Sequence, residues 1–167
     1  LEEAAPERSF TVDDMKITPV AIDHTIPAQG YVLEAPTGDA MIHLGDTGPT
    51  RGEYAHARRY LAQGRLRALS LECSFPDEER ELAILTGHLT PQLIARHLYE
   101  LVLEKEPPAR DLNDRELAEV GRRLGGTPVL LHHVKPEGAL RIRTQVQDLR
   151  ARGLPLVFLA QGVELSL

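Results

Sequence analysis

A single cysteine, Cys73, has no partner for an intrachain bridge, so no disulfide framework holds this chain together. No apolar run reaches ~18 residues, which excludes a transmembrane helix. The start, LEEAAPERSF, lacks the charged-then-apolar order of a secretory signal. Residues 1–8 read instead as a cloning scar or a flexible start. Repeats and low-complexity segments are lacking too. Positive charge is in deficit: 19 Lys and Arg stand against 25 Asp and Glu, a net charge of −6. That balance argues against a broad nucleic-acid surface while leaving room for a local basic patch. One cysteine is neutral on compartment. The cytoplasm is favoured, with the periplasm as the alternative.

What is present describes one globular domain. At 167 residues, 42% hydrophobic and 26% charged, the chain is long enough to bury a core. MKITPVAID (15–23), GYVLEA (30–35) and AMIHL (40–44) read as strands, the last two joined as a hairpin through the turn PTGD. EYAHARRYLAQG reads as a helix closed by Gly64, with Ala55, Arg59 and Ala62 at helical spacing. LRALSLEC (66–73) and TPVLLHHV (127–134) are apolar without polar alternation, as in strands covered on both faces. FPDEER opens a loop or short helix. Thr90 and Pro91 give the next segment a strong helix start, with an apolar stripe of Ile94, Leu98, Leu101 and Val102. A further helix over NDRELAEVGRRLGG ends at Gly125 and Gly126. The last runs through Leu140, Ile142, Val146 and Leu149, and LPLVFLA and VELSL close the chain as two short strands. The pattern predicts an α/β fold: a hairpin-rich start, then alternating helices and buried strands.

Chemistry-bearing residues gather where strands end. His24, His132 and His133 stand at such ends, and His88 lies two residues ahead of the Thr90–Pro91 helix start. Asp46 and Glu72 follow apolar strands. A hydrolytic metal site needs imidazoles and carboxylates held rigidly at a rim yet open to water. A histidine at a strand end is, however, more often simply solvated or hydrogen-bonded. Asp46, in HLGDTGPT, is by itself as good a turn former as a ligand. Spacing alone leaves both readings open.

The order of the motifs adds what spacing does not. DHTIPAQGYVLE, HLGDTGPT, LECSFPDEERELAILTGHLTP and LLHHVKP, read together, resemble the class II cyclic-nucleotide phosphodiesterases of the metallo-β-lactamase superfamily. The transfer-RNA 3′-processing endonucleases of that superfamily share the order in weaker form. The resemblance implies a metal-dependent hydrolysis of 3′,5′-cyclic nucleotides, cAMP or cGMP, to the 5′-monophosphate by a hydroxide held between two divalent ions, normally zinc. It implies His24, Asp46 and His133 as metal ligands, with Asp46 bridging the ions. His132, the neighbour of His133, points to the opposite face of an extended chain. The resemblance also places His88 beside the metals, to meet the phosphate or protonate the leaving oxygen, and gives Glu72 the local hydrogen-bond network. Lys135 and Thr47 are weaker substrate-binding candidates. Gly45 and Gly48 would let the backbone approach closely around Asp46.

One departure bears on all of this. The superfamily's His-x-His-x-Asp-His segment belongs upstream of His24, and the chain contains nothing like it. The expected architecture is therefore the C-terminal half of an αββα sandwich, residues 1–167 forming a partial hydrolase domain. Three explanations compete: a piece of a longer protein whose other half is a separate chain, a chain that lacks that half, or a natural half-domain without catalysis, the first two being favoured. The open sheet of a half-sandwich is expected to meet a companion N-terminal half or a second copy of the chain. An RNA-end nuclease is disfavoured by the acidic balance.

Overall fold

The computed structural model describes residues 5–159 and residue 162. Seven strands form one sheet in sequence order: β1 (Phe10–Val12), β2 (Met15–Ala21), β3 (Gln29–Glu34), β4 (Ala40–His43), β5 (Leu66–Glu72), β6 (Val129–His132) and β7 (Leu156–Phe158). β1 to β4 are joined as antiparallel neighbours, and β4 to β7 run parallel. Parallel neighbours need crossovers, and helices supply them. α1 (Tyr54–Ala62) connects β4 to β5, and α5 (Ala139–Ala151) connects β6 to β7. Between β5 and β6 lie a short 3-10 turn at Asp77–Glu79, then α2 (Arg80–Leu85), α3 (Pro91–Leu103) and α4 (Asp114–Leu124). Every crossover steps the same way along the sheet, so a common right-handed sense brings the helices to a single face.

The strand registers divide the two faces. Val32, Ile42, Leu69, Val129 and Leu156 face one another across five strands, each no more than 1% exposed, and belong to the core under the helices. The neighbouring row, Tyr31, His43, Ser70, Leu130 and Val157, lies outside that core. Tyr31 and His43 are half-buried there and Val157 is exposed. α3 is the central helix, touching α1, α4 and α5. Its stripe of Ile94, Leu98 and Leu101 is fully buried, as its spacing predicts. The Thr90 hydroxyl accepts from the Leu93 N–H, capping this helix with Pro91 in its first turn. An Asn113–Glu116 capping box starts α4.

The α1 helix forms as its spacing predicts, with Tyr54, Ala57 and Tyr60 buried and the Ala55–Arg59–Ala62 row exposed. Helical spacing marks both rows equally, and the one with the large aromatic rings removes more area from water. Several expectations need correction. Leu140 is 80% exposed, so the inward face of α5 is Ile142, Val146 and Leu149. Arg67 interrupts the burial of β5 and pairs with Asp39 at 2.9 Å. β1 was not anticipated, and the VELSL strand lies outside the described residues. Glu7 donates its N–H to the Pro19 carbonyl at 2.8 Å and meets His56 at 3.0 Å, which ties this part of residues 1–8 to the fold.

Candidate metal centre

The carboxyl ends of β4, β5 and β6 carry Asp46, Glu72 and His133 to one rim, because parallel neighbours end on the same edge. His133 follows β6 with φ of 55°, in the left-handed region that a non-glycine residue rarely occupies. Here it accompanies an imidazole Nδ1 placed 2.6 Å from Asp46 Oδ1. His88 arrives from the loop between α2 and α3. Among the described residues, Asp46, His88 and His133 form one group whose donor atoms all lie within 4.8 Å of one another. Asp46 and His133 are partly open to solvent, their side chains 46% and 40% exposed, while His88 is nearly buried. Asp46 and His133 offer a carboxylate and an imidazole to a borderline divalent cation such as zinc, with the His88 imidazole beside them.

Glu72 sits beneath that group, wholly buried. Its Oε1 accepts the Leu89 N–H at 2.8 Å and lies 3.0 Å from His88 Nδ1. Its Oε2 takes the Ser74 hydroxyl, and the Thr47 backbone N–H also donates to this carboxylate. Burial pushes the carboxyl up to about 8, against the lowering pull of those hydrogen bonds. His88 is held below the usual imidazole value by its burial and then by the charge of Lys135, with Asp46 opposing.

His24 stands next to this group without joining it. Its ring is 5.2 Å from that of His88, and its Nδ1 is 2.9 Å from the Gly87 carbonyl. A proton held on Nδ1 by that carbonyl leaves Nε2 as the free donor, the usual way a backbone oxygen prepares a histidine ligand. Gly87 makes the approach feasible: its φ is +69° and a Cβ there would lie 2.9 Å from His24 Nδ1. Neither glycine beside Asp46 is needed for close approach: a Cβ on Gly48 would meet ordinary contacts at 3.4 Å, from the Asp23 carbonyl and Gly87, and one on Gly45 would meet nothing within 4 Å.

The remaining residues separate by what they touch. His132 turns to the sheet face, with Nε2 on the Leu44 carbonyl at 2.9 Å and its ring 5.1 Å from that of His43. Thr47 is fully buried, and its hydroxyl donates to the Gly48 carbonyl at 3.0 Å, so it shapes the turn after β4. Lys135 rests its ammonium 3.7 Å over the Phe75 ring, and that ring lies 5.6 Å from His88. Sequence reasoning missed Ser74. Its hydroxyl also donates to the His133 carbonyl at 3.1 Å and lies 3.3 Å from His133 Nδ1, joining Glu72 to His133. Its position two residues after Glu72 in an extended segment was the available signal.

The described residues contain no helix long and apolar enough to cross a membrane. No curated protein matches the chain by sequence. Solved structures do match its fold. YhfI from Bacillus subtilis, a metallo-β-lactamase fold protein, aligns with a TM-score of 0.64 at 12% identity, over 95% of this chain and 52% of that one. Zn(2+)-bound PqqB from Methylobacterium extorquens aligns at 0.51 and 13% identity, over 92% and 52%. The short form of human tRNase Z aligns at 0.50 and 18%, over 78% and 41%. The chain thus spans about half the length of these structures. Its seven-stranded sheet with flanking helices belongs with the metallo-β-lactamase fold. Residues 39–153 match the family described as cAMP phosphodiesterases class-II, a stretch that includes Asp46, Glu72, His88 and His133. The chain belongs to the class-II cAMP phosphodiesterase family.

Proposed function

We propose that this chain forms part of a metal-dependent phosphodiesterase that opens 3′,5′-cyclic nucleotides to the 5′-monophosphate. The observation that carries the reading is the convergence of Asp46, His88 and His133 within 4.8 Å at a sheet rim, with His88 backed by the buried Glu72. Asp46 and His133 would hold a divalent ion, and His24, with its Nε2 free, would hold a second. When bound, such ions polarise a phosphoryl oxygen and supply a water acidified to near neutrality. The other steps fall to the chain's own side chains. Glu72 keeps His88 oriented through Nδ1, so that Nε2 faces the leaving 3′ oxygen. A proton passed from Nε2 to that oxygen avoids expelling a free alkoxide. Burial and Lys135 disfavour the charged His88, and an anionic phosphate beside it opposes both effects. Lys135 adds positive charge on the phosphate side.

A companion polypeptide completes the site in this reading. Support comes from the half-length match to solved structures and from the sheet face left outside the helix-covered core, with Tyr31 and Met41 half-buried and Val157 exposed. Such a face is suited to a second sheet. A non-catalytic half-domain is the competing account, and an RNA-end nuclease fits the net charge of −6 less well.

The test is to measure bound zinc and cAMP hydrolysis for the chain alone and joined to the missing half. Hydrolysis only in the joined protein, lost ~10²–10⁴-fold in kcat on His88→Ala, is expected. A zinc-loaded joined protein that leaves cyclic nucleotides intact refutes the reading. Full activity from the chain alone refutes the need for a companion.

A further inference from the structure

Away from the rim, the chain buries another carboxylate beside an imidazole. Glu53 immediately precedes α1 and His97 lies within α3, their side chains 0% and 1% exposed, with Glu53 Oε1 2.8 Å from His97 Nε2. The Tyr54 hydroxyl donates to the His97 carbonyl at 3.2 Å and lies 3.5 Å from His97 Nδ1. Among the described residues, neither Glu53 oxygen accepts a well-aligned hydrogen bond, so the pair rests on its own short contact.

For stability alone this is a poor arrangement. Removing such groups from water is costly, and apolar residues of similar volume often serve as well or better. An apolar pair tolerates sliding, whereas sliding that separates Glu53 from His97 leaves two buried polar groups with no partner at all, which is strongly unfavourable. Both partners lie on segments that lead to the candidate metal centre. Glu53 is seven residues beyond Asp46, and the intervening chain is tied at Gly48 to the Asp23 carbonyl. His97 is nine residues beyond His88, on the helix whose capped start His88 precedes. A helix transmits an axial displacement along its whole length, so pinning His97 fixes the start of α3 as well. Arg58 of α1 reinforces the same seam through the carbonyls of Leu101 and Glu100, at 2.7 and 3.0 Å.

We propose that Glu53 and His97 are positioning residues for the metal centre: their contact sets the register of α1 against α3, and hence the separation of Asp46 from His88. The inference rests on the metal-site reading above. The double variant Glu53→Met/His97→Leu removes the pair at similar volume. Urea unfolding reports its fold, and zinc titration against a chromophoric chelator reports the site. The expected result is a folded variant whose zinc affinity falls ~10–100-fold, the range for groups that orient metal ligands. A folded variant with unchanged affinity overturns the inference alone. Should the double variant not fold, Glu53→Gln, which keeps the shape and removes the charge, is judged by the same two results. The titration is made on the chain joined to its companion half, and an unmutated joined protein that binds no zinc removes the site reading, and the inference with it.

Discussion

Replacing Glu72 by glutamine isolates the cost of a buried charge under the candidate site. Glu72 is 0% exposed, and its carboxyl is raised from an ordinary value near 4.5 to about 8. The folded chain therefore binds a proton in that interval that the unfolded chain releases. The contribution of Glu72 to stability is intact below about 4.5 and is lost as pH rises through about 8. Each pH unit is worth at most about 1.4 kcal/mol, so the loss has a ceiling of about 5 kcal/mol. His43, His88 and His132 act in the opposite sense. Burial lowers each of them, so the folded state binds fewer protons and their contribution grows as pH rises toward the ordinary imidazole value. A single pH profile mixes these trends, whereas the difference between parent and Glu72→Gln cancels the part of His43 and His132 and keeps only the change made at Glu72 and at His88, which touches it.

Glutamine keeps the acceptor for the Leu89 N–H but weakens the contacts to Ser74 and His88, a loss of ~1–3 kcal/mol. In urea unfolding with a chelator present, the variant should therefore be less stable than the parent at pH 5. It should recover steadily toward pH 8.5 and overtake the parent if most of the ceiling is realised. Adding zinc should shift the comparison back toward the parent, because a nearby cation favours the ionised carboxylate. A parent–variant difference that stays constant from pH 5 to 8.5 without metal would show that Glu72 carries no buried-charge cost.

Two further substitutions probe the same region. Gly87→Ala places a Cβ 2.9 Å from His24 Nδ1 at a φ of +69°, and it should cost ~1–3 kcal/mol of stability in urea unfolding. An unchanged midpoint would mean that the His24–Gly87 approach is not tight. Ser74→Ala removes the hydroxyl linking Glu72 to His133, and zinc affinity should fall ~10–100-fold with secondary structure retained by circular dichroism. Equal zinc affinity would leave Ser74 with a packing role only.

Local chemistry determined much of this protein from the sequence alone. The Thr90–Pro91 start, the Asn113–Glu116 segment and the apolar runs of β5 and β6 are governed by caps, turns and hydrophobic runs within a few residues. The family could be read from four short motifs in order. Asp46, Glu72, His88 and His133 were legible as a set for that reason, and because strand ends on one sheet edge converge. Tertiary structure decided what periodicity leaves degenerate. Ala55–Arg59–Ala62 and Tyr54–Ala57–Tyr60 are both helical rows, and only packing against the sheet selects the second. It also separated the adjacent His132 and His133, sending one to a carbonyl on the sheet face and the other to Asp46 through a left-handed backbone. It brought Ser74 between Glu72 and His133, and it buried Glu53 against His97 across 44 residues of chain. Contacts of that kind depend on where separate elements meet, a long-range condition that no local pattern encodes.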